Sequence, residues 1–169
     1  MAALYLRPWR IDVSVRDGVR SPVSVASLAR LAAHALTVCR APSPASLGLI
    51  LSDDRELAAL NVVHMGHQGP TDVLSFPLLP VGEFPTHAGQ GGTLRKVRSA
   101  SRFALPPGRR PHLGDIVVSV ERAAAQAPGT LKEELRQLVV HGVLHVCGWD
   151  HAAPLERDAM RALERSILG

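Results

Sequence analysis

Apolar and polar positions alternate along this chain with two different periods, and the switches between them mark its elements. Ile11, Val13 and Val15 share one face of a short strand, Ile11 to Val15. From Ser24 to Val38 the period lengthens, and Leu28, Leu31, Ala32 and Leu36 form a helical stripe. Leu47 to Leu51 is a second strand. Asp53 and Asp54 follow it, suited as N-cap and first-turn acid of a helix carrying Leu57, Leu60 and Val63. Gly66 to Pro70 is a turn-rich break. Asp72 to Leu79 is a third strand, with Val73, Ser75 and Pro77 on one side and Leu74, Phe76 and Leu78 on the other. Leu113 to Val118 is the fourth main strand, and Val120 to Ala127 a short helix.

The clearest helix runs from Leu131 to about Val146. Thr130 and Glu133 have the spacing of a capping box, and Gly148 supplies the stop. Leu131, Leu135, Leu138, Val139 and Val143 make its stripe. Val140, Leu144 and Val146 spread the apolar surface around its second half, as expected of a central helix. Pro154 suits the first turn of a last helix, Leu155 to Leu168. With 169 residues the chain fits one domain, 1–169. The order of elements predicts an α+β fold, a small mixed β-sheet of about four strands packed with helices. Strict alternation of strand and helix is too scarce for a doubly wound sheet.

Pro80 to His112 reads as a basic loop insertion. Gly, Pro, Ser and Arg dominate it without periodicity. It holds Arg95, Lys96, Arg98, Arg102, Arg109 and Arg110, with no acid between Glu83 and Asp115. A loop this long in a compact domain is functional or disordered, unless Thr93 to Val97 pairs in a hairpin. The whole chain has 19 Lys and Arg against 15 Asp and Glu, a net charge of +4, which permits a nucleic-acid partner without requiring one. Two cysteines, Cys39 and Cys147, make no disulfide framework, so a reducing cytosol is expected. The start has no signal-peptide h-region, and no apolar run approaches the ~20 residues of a membrane helix.

Eight histidines are the first sign of chemistry. His141 and His145, four apart on the central helix, project from one face. Past Gly148 the chain can double back and bring His151 toward them. Three neutral imidazoles on such a frame match a three-ligand Zn2+ site, with Zn–N distances of about 2.0–2.1 Å and a fourth position open. Nickel and iron accept the same donors. A closed structural site wants a fourth ligand, and Cys147, two residues beyond His145, points elsewhere. Asp150 is placed either to accept an imidazole N–H or to make a turn, and Trp149 reads as core. The frame H-x-x-x-H-x-x-G-x-x-H is that of the metzincin peptidases. Those enzymes need Glu after the first His as general base, and Gly142 stands there. This zincin-like frame without its peptidase base points to metal-assisted hydrolysis of something other than a peptide.

His141-Gly142-Val143-Leu144-His145-Val146-Cys147-Gly148-Trp149-Asp150-His151 resembles the H-G-x-L-H-L-x-G-Y-D-H signature of the YbeY endoribonucleases. Leu60-Asn61 followed by Pro70-Thr71-Asp72-Val73-Leu74-Ser75-Phe76-Pro77 resembles that family's LN…PTDVLSFP stretch, and Leu113-Gly114-Asp115-Ile116-Val117-Val118-Ser119 its LGDIVIS strand. The likeness runs from about Ser46 to the C-terminus, outside Pro80 to His112. It implies a cytoplasmic, metal-dependent, single-strand-specific endoribonuclease with His141, His145 and His151 as metal ligands. It further implies 16S rRNA 3′-end maturation and ribosome quality control, with rRNA and the ribosomal small subunit as partners. Many members carry an Arg shortly after the Leu-Asn pair, where Met65 stands here between His64 and Gly66. The long basic loop is short in most members. We expect these departures to be linked, an Arg from Arg95 to Arg110 supplying the missing charge, with Arg95 and Arg98 as substrate-binding candidates. The alternative is that Met65 is tolerated and the metal handles the phosphate.

The sequence does not fix the general base. Asp72 and Asp115, at strand ends, are catalytic candidates that also read as turn or capping residues. Thr71 and Ser75 are candidates for phosphate contact, or simply hold the strand. Two rival functions share these residues: a metal-stabilised, non-catalytic ribosome assembly factor, and a metallopeptidase.

Overall fold

The computed structural model describes residues 1–88 and 110–169. Strands β1 (Ala2–Leu6), β2 (Trp9–Val15), β3 (Ala45–Ser52), β4 (Val73–Pro77) and β5 (His112–Ser119) form one sheet. Helices α1 (Val25–Val38), α2 (Asp54–Met65), α3 (Val120–Gln126), α4 (Leu131–Val146) and α5 (Pro154–Leu168) pack around it. The spatial order is β1-β2-β3-β5-β4, with β2, β3 and β5 parallel and the outer strands β1 and β4 antiparallel to their neighbours. The α+β class and the mixed sheet agree with the pattern. The strand count is five rather than about four. The additional strand is β1, where Ala2, Ala3 and Tyr5 are exposed and only Leu4 and Leu6 pack on the core. So little apolar alternation leaves no strand signal. The hairpin considered at Thr93 to Val97 lies outside the described residues.

The helices begin where side chains serve their free amides. Ser24 accepts from the Ser27 amide, Asp53 from Glu56, and Thr130 and Glu133 close a capping box on α4. Such a cap stabilises a helix by about 1 kcal/mol.

The chain's central helix, α4, lies over β4 and β5, with α1, α3 and α5 against it. Leu135, Val139, Val140, Val143, Leu144 and Val146 are fully buried, each contributing roughly 1.5–3 kcal/mol of transfer free energy. The opposite face of the sheet holds a smaller cluster of Leu57, Leu74 and Val117, with Phe76 packed on it beneath α2. The register separates the two faces: Ser75 pairs with Ile116 toward α4, whereas Leu74 pairs with Val117 and Phe76 with Asp115 toward α2. No described helix is long and apolar enough to cross a membrane.

Candidate metal centre

The end of α4 explains how three distant ring positions meet. His141 and His145 are one turn apart near its C-terminus. Gly148 then adopts a φ of 86°, which a residue with a side chain rarely takes. The amides of Gly148 and Trp149 close on the carbonyls of His145 and Leu144, a left-handed helix stop. The chain turns back, and His151 comes alongside. Each of the three histidines presents a ring nitrogen, all within 4.8 Å of one another. His145 Nε2 is 3.0 Å from His141 Nε2. Two nitrogens on one tetrahedral ion at the usual Zn–N length stand roughly 3.3 Å apart, so this spacing is close to what an ion requires.

The rings are also prepared electrostatically. Glu164 of α5 places Oε1 2.6 Å from His141 Nδ1. An accepting carboxylate there holds the proton on Nδ1 and turns the Nε2 lone pair toward His145. Burial, and then the neighbouring His141 and His151 rings, push the His145 pKa down to about 4, against the opposing pull of the Trp149 backbone and the Asp150 charge. His145 is therefore a neutral imidazole at neutral pH, the form that binds metal. His151 is exposed, and its amide donates to Asp150 Oδ1 at 2.7 Å. Asp150 thus shapes the turn, and it is Glu164 that takes the bond to a ring N–H considered for it. Cys147 is a buried free thiol in the main core and does not join the cluster. Three converging imidazoles, one oriented by a carboxylate, fit a divalent transition-metal ion.

Gly142 lies between the helix and the sheet. A Cβ there would stand 2.6 Å from Ile116 Cγ2 and 3.3 Å from Ser75 Oγ. The position that holds the acid of a metzincin peptidase is here a close approach of α4 to β5, with no room for a side chain. Ser75 donates to the Gly142 carbonyl at 3.1 Å, which ties β4 to the helix beside His141.

The structure does not bring the other candidates to the histidines. Asp115 is on the α2 face, paired with Phe76 and hydrogen-bonded to His112 at 3.0 Å, so the sheet stands between its carboxylate and the rings. Asp72 accepts from the Val73 amide and from Thr71 Oγ1 at the start of β4. It faces Glu134 in the first turns of α4, whose carboxyl is raised by burial and then by the Asp72 charge. Asp72 and Thr71 therefore sit toward the opposite end of α4 from the rings. Met65 ends α2, where His64 packs edge-on against Phe76 with ring centroids 4.9 Å apart. Arg95 and Arg98 lie outside the described residues. Arg110 donates to the Pro8 carbonyl at 3.0 Å, in the turn between β1 and β2.

Three residues near the centre escape the sequence reading. Glu156, Met160, Glu164 and Ile167 form the buried side of α5, so two carboxylates occupy positions where the helical stripe calls for apolar groups. That misfit is the signal for Glu164. Glu156 Oε1 lies 2.7 Å from His87 Nε2 and accepts the Asp150 amide at 2.9 Å. His87 in turn stacks on Trp149, with centroids 3.8 Å apart and planes at 17°.

A mixed sheet carrying a central helix, with three imidazoles gathered at that helix's end, defines an α+β protein with a zincin-like histidine centre. The profile of the family described as Endoribonuclease YbeY matches residues 17–169, and the chain belongs to that family. The relative of that name from Parvibaculum lavamentivorans is 39% identical over 142 residues, 82% of this chain and 69% of its own. The one from Roseiflexus castenholzii is 35% identical over 163 residues, 94% of this chain and 91% of its own. A solution structure of a Thermotoga maritima protein is similar at a TM-score of 0.49 and 19% identity, over 93% of this chain and 88% of that one.

Proposed function

We propose that this chain is a zinc-dependent endoribonuclease that hydrolyses single-stranded RNA in the cytoplasm. Its target in this reading is the 16S rRNA 3′ end, within small-subunit maturation and ribosome quality control. Membership of the YbeY family supports the RNA substrate. The observation that carries the metal chemistry is the convergence of His141, His145 and His151 within 4.8 Å.

His141, His145 and His151 would hold the ion, which when bound supplies Lewis acidity toward a water or a phosphate oxygen. The remaining work falls to the chain. Glu164 keeps the His141 ring in one tautomer and one orientation. Burial keeps His145 free of a competing proton. The exposed His151 puts the centre at the surface, where a flexible strand can reach it. Charge building on phosphoryl oxygens calls for nearby cations, and Arg95 and Arg98 are the residues proposed for that contact. Gly142 disfavours the peptidase reading, since its position has neither an acid nor space for one.

Elemental analysis beside turnover of a single-stranded RNA, with and without a chelator, tests this reading. One zinc per chain is expected, with cleavage lost on chelation and in His145→Ala. RNA cleavage by metal-free protein would refute it. Metal-loaded protein that binds rRNA and never cuts it would identify the assembly factor instead.

A further inference from the structure

We propose that His87 is a positioning residue for the metal centre, holding in place the turn that carries His151. This rests on the reading of His141, His145 and His151 as ligands, and extends it to a residue outside the histidine signature.

The third ring sits on the least regular part of the site. His141 and His145 ride on α4, but His151 follows a glycine turn and is exposed. What fixes that turn comes from the segment after β4. Val81 packs over Gly148, where a Cβ would stand 3.0 Å from Val81 Cγ1. Phe84 is buried in the main core. His87 then lies flat on Trp149 at a centroid distance of 3.8 Å, with its side chain only 7% exposed. Its Nε2 is 2.7 Å from Glu156 Oε1, itself a buried group on α5.

The same carboxylate oxygen accepts the Asp150 amide, and Asp150 Oδ1 accepts the His151 amide. Two consecutive amides of the turn are therefore held by carboxylates. Since Oε1 already accepts from the backbone, His87 supplies the proton at Nε2. A ring stacked on Trp149 and a hydrogen bond to Glu156 thus fix the turn from one side chain. Partners bonded directly to a ligand typically govern 10–100-fold in metal affinity, and His87, which acts through Glu156 and the Asp150 amide, is placed at the lower end of that range.

Two substitutions divide the contributions. His87→Phe keeps the ring on Trp149 and removes the donor. His87→Gln keeps a donor near the Nε2 position and gives up the stack. Zinc affinity of the full chain, measured at pH 7 by competition with a chelating dye, is the readout, beside the melting temperature of the metal-free protein. His87→Phe is expected to weaken zinc binding about 10-fold while the metal-free protein melts within a few degrees of the parent. His87→Gln is expected to recover most of the affinity. His87→Phe with parental affinity overturns the proposal. So does a loss of affinity in both variants that only parallels a loss of melting temperature, which identifies a purely structural residue. If the parent chain itself takes up no zinc, while folded by circular dichroism, it is the metal reading that fails.

Discussion

Glu164 and His141 are joined by a short bond, 2.6 Å from Oε1 to Nδ1, across the contact between α5 and α4. The Glu164 side chain is almost buried, at 11% exposure. Its hydrogen-bond partner is a ring whose other nitrogen faces the cluster.

Removing it should therefore act on metal before it acts on fold. Glu164→Ala is expected to lower zinc affinity about 10–100-fold. Glu164→Gln, which keeps an acceptor, should fall between that variant and the parent. Competition titration checks both, and unchanged affinity in Glu164→Ala would show that His141 needs no orienting partner.

Gly142 offers a test in which two effects oppose each other. Replacing a mid-helix glycine by alanine gains about 1 kcal/mol of helix propensity. The new Cβ would meet Ile116 Cγ2 at 2.6 Å, and overpacking of this kind costs about 1–3 kcal/mol. Net destabilisation of Gly142→Ala is expected in urea unfolding. Gly142→Glu should lose more and gain no activity on casein. A stabilised alanine variant would contradict the close approach of α4 to β5.

In the metal-free protein His145 should take up its proton near pH 4, whereas a free imidazole does so near 6.5. The unfolded chain then binds that proton first. Stability should fall as pH drops from about 6.5 to about 4, and be indifferent to this group above that window. Ring resonances followed by NMR report the midpoint directly. A midpoint near that of free histidine would mean that the ring is solvated rather than buried.

Thr130 provides the contrasting case, at the other end of α4 from the rings. Thr130→Ala removes the capping box and should cost about 1 kcal/mol in unfolding free energy. Zinc affinity of the folded protein should not change. A joint loss of both would show that the ligands are coupled to the whole length of the helix.

Much of this arrangement was legible in the chain itself, because the informative segments repeat one physical signal. The capping box, the all-round apolar second half and the glycine stop agree on α4, and that helix fixes where two of the rings point. What stayed hidden has specific causes. β1 has an exposed Ala2, Ala3 and Tyr5, so its strand pattern is erased by its place at the edge. Asp115 reaches the α2 face through a bulge that no local pattern marks. Between the pairs Ser46–His112 and Gly48–Asp115 the register shifts, so Leu113 and Gly114 together oppose Leu47. Simple alternation keeps Asp115 on the face of Leu113, whereas an extra residue moves it to the other. The roles of Glu164 and Glu156 depend on how α5 docks, which no local pattern encodes. Their position in an apolar stripe marks them as unusual without naming a partner.

The seat of α4 on the sheet at Gly142 sets different tolerances for the three donors. Two imidazoles inherit the positional precision of a helix pressed against strands, with no side chain between to act as a cushion. The third inherits that of an irregular turn. When heat or denaturant first loosens the centre, the opening should begin at residue 151, while the pair on the helix stays in register until the sheet itself gives way.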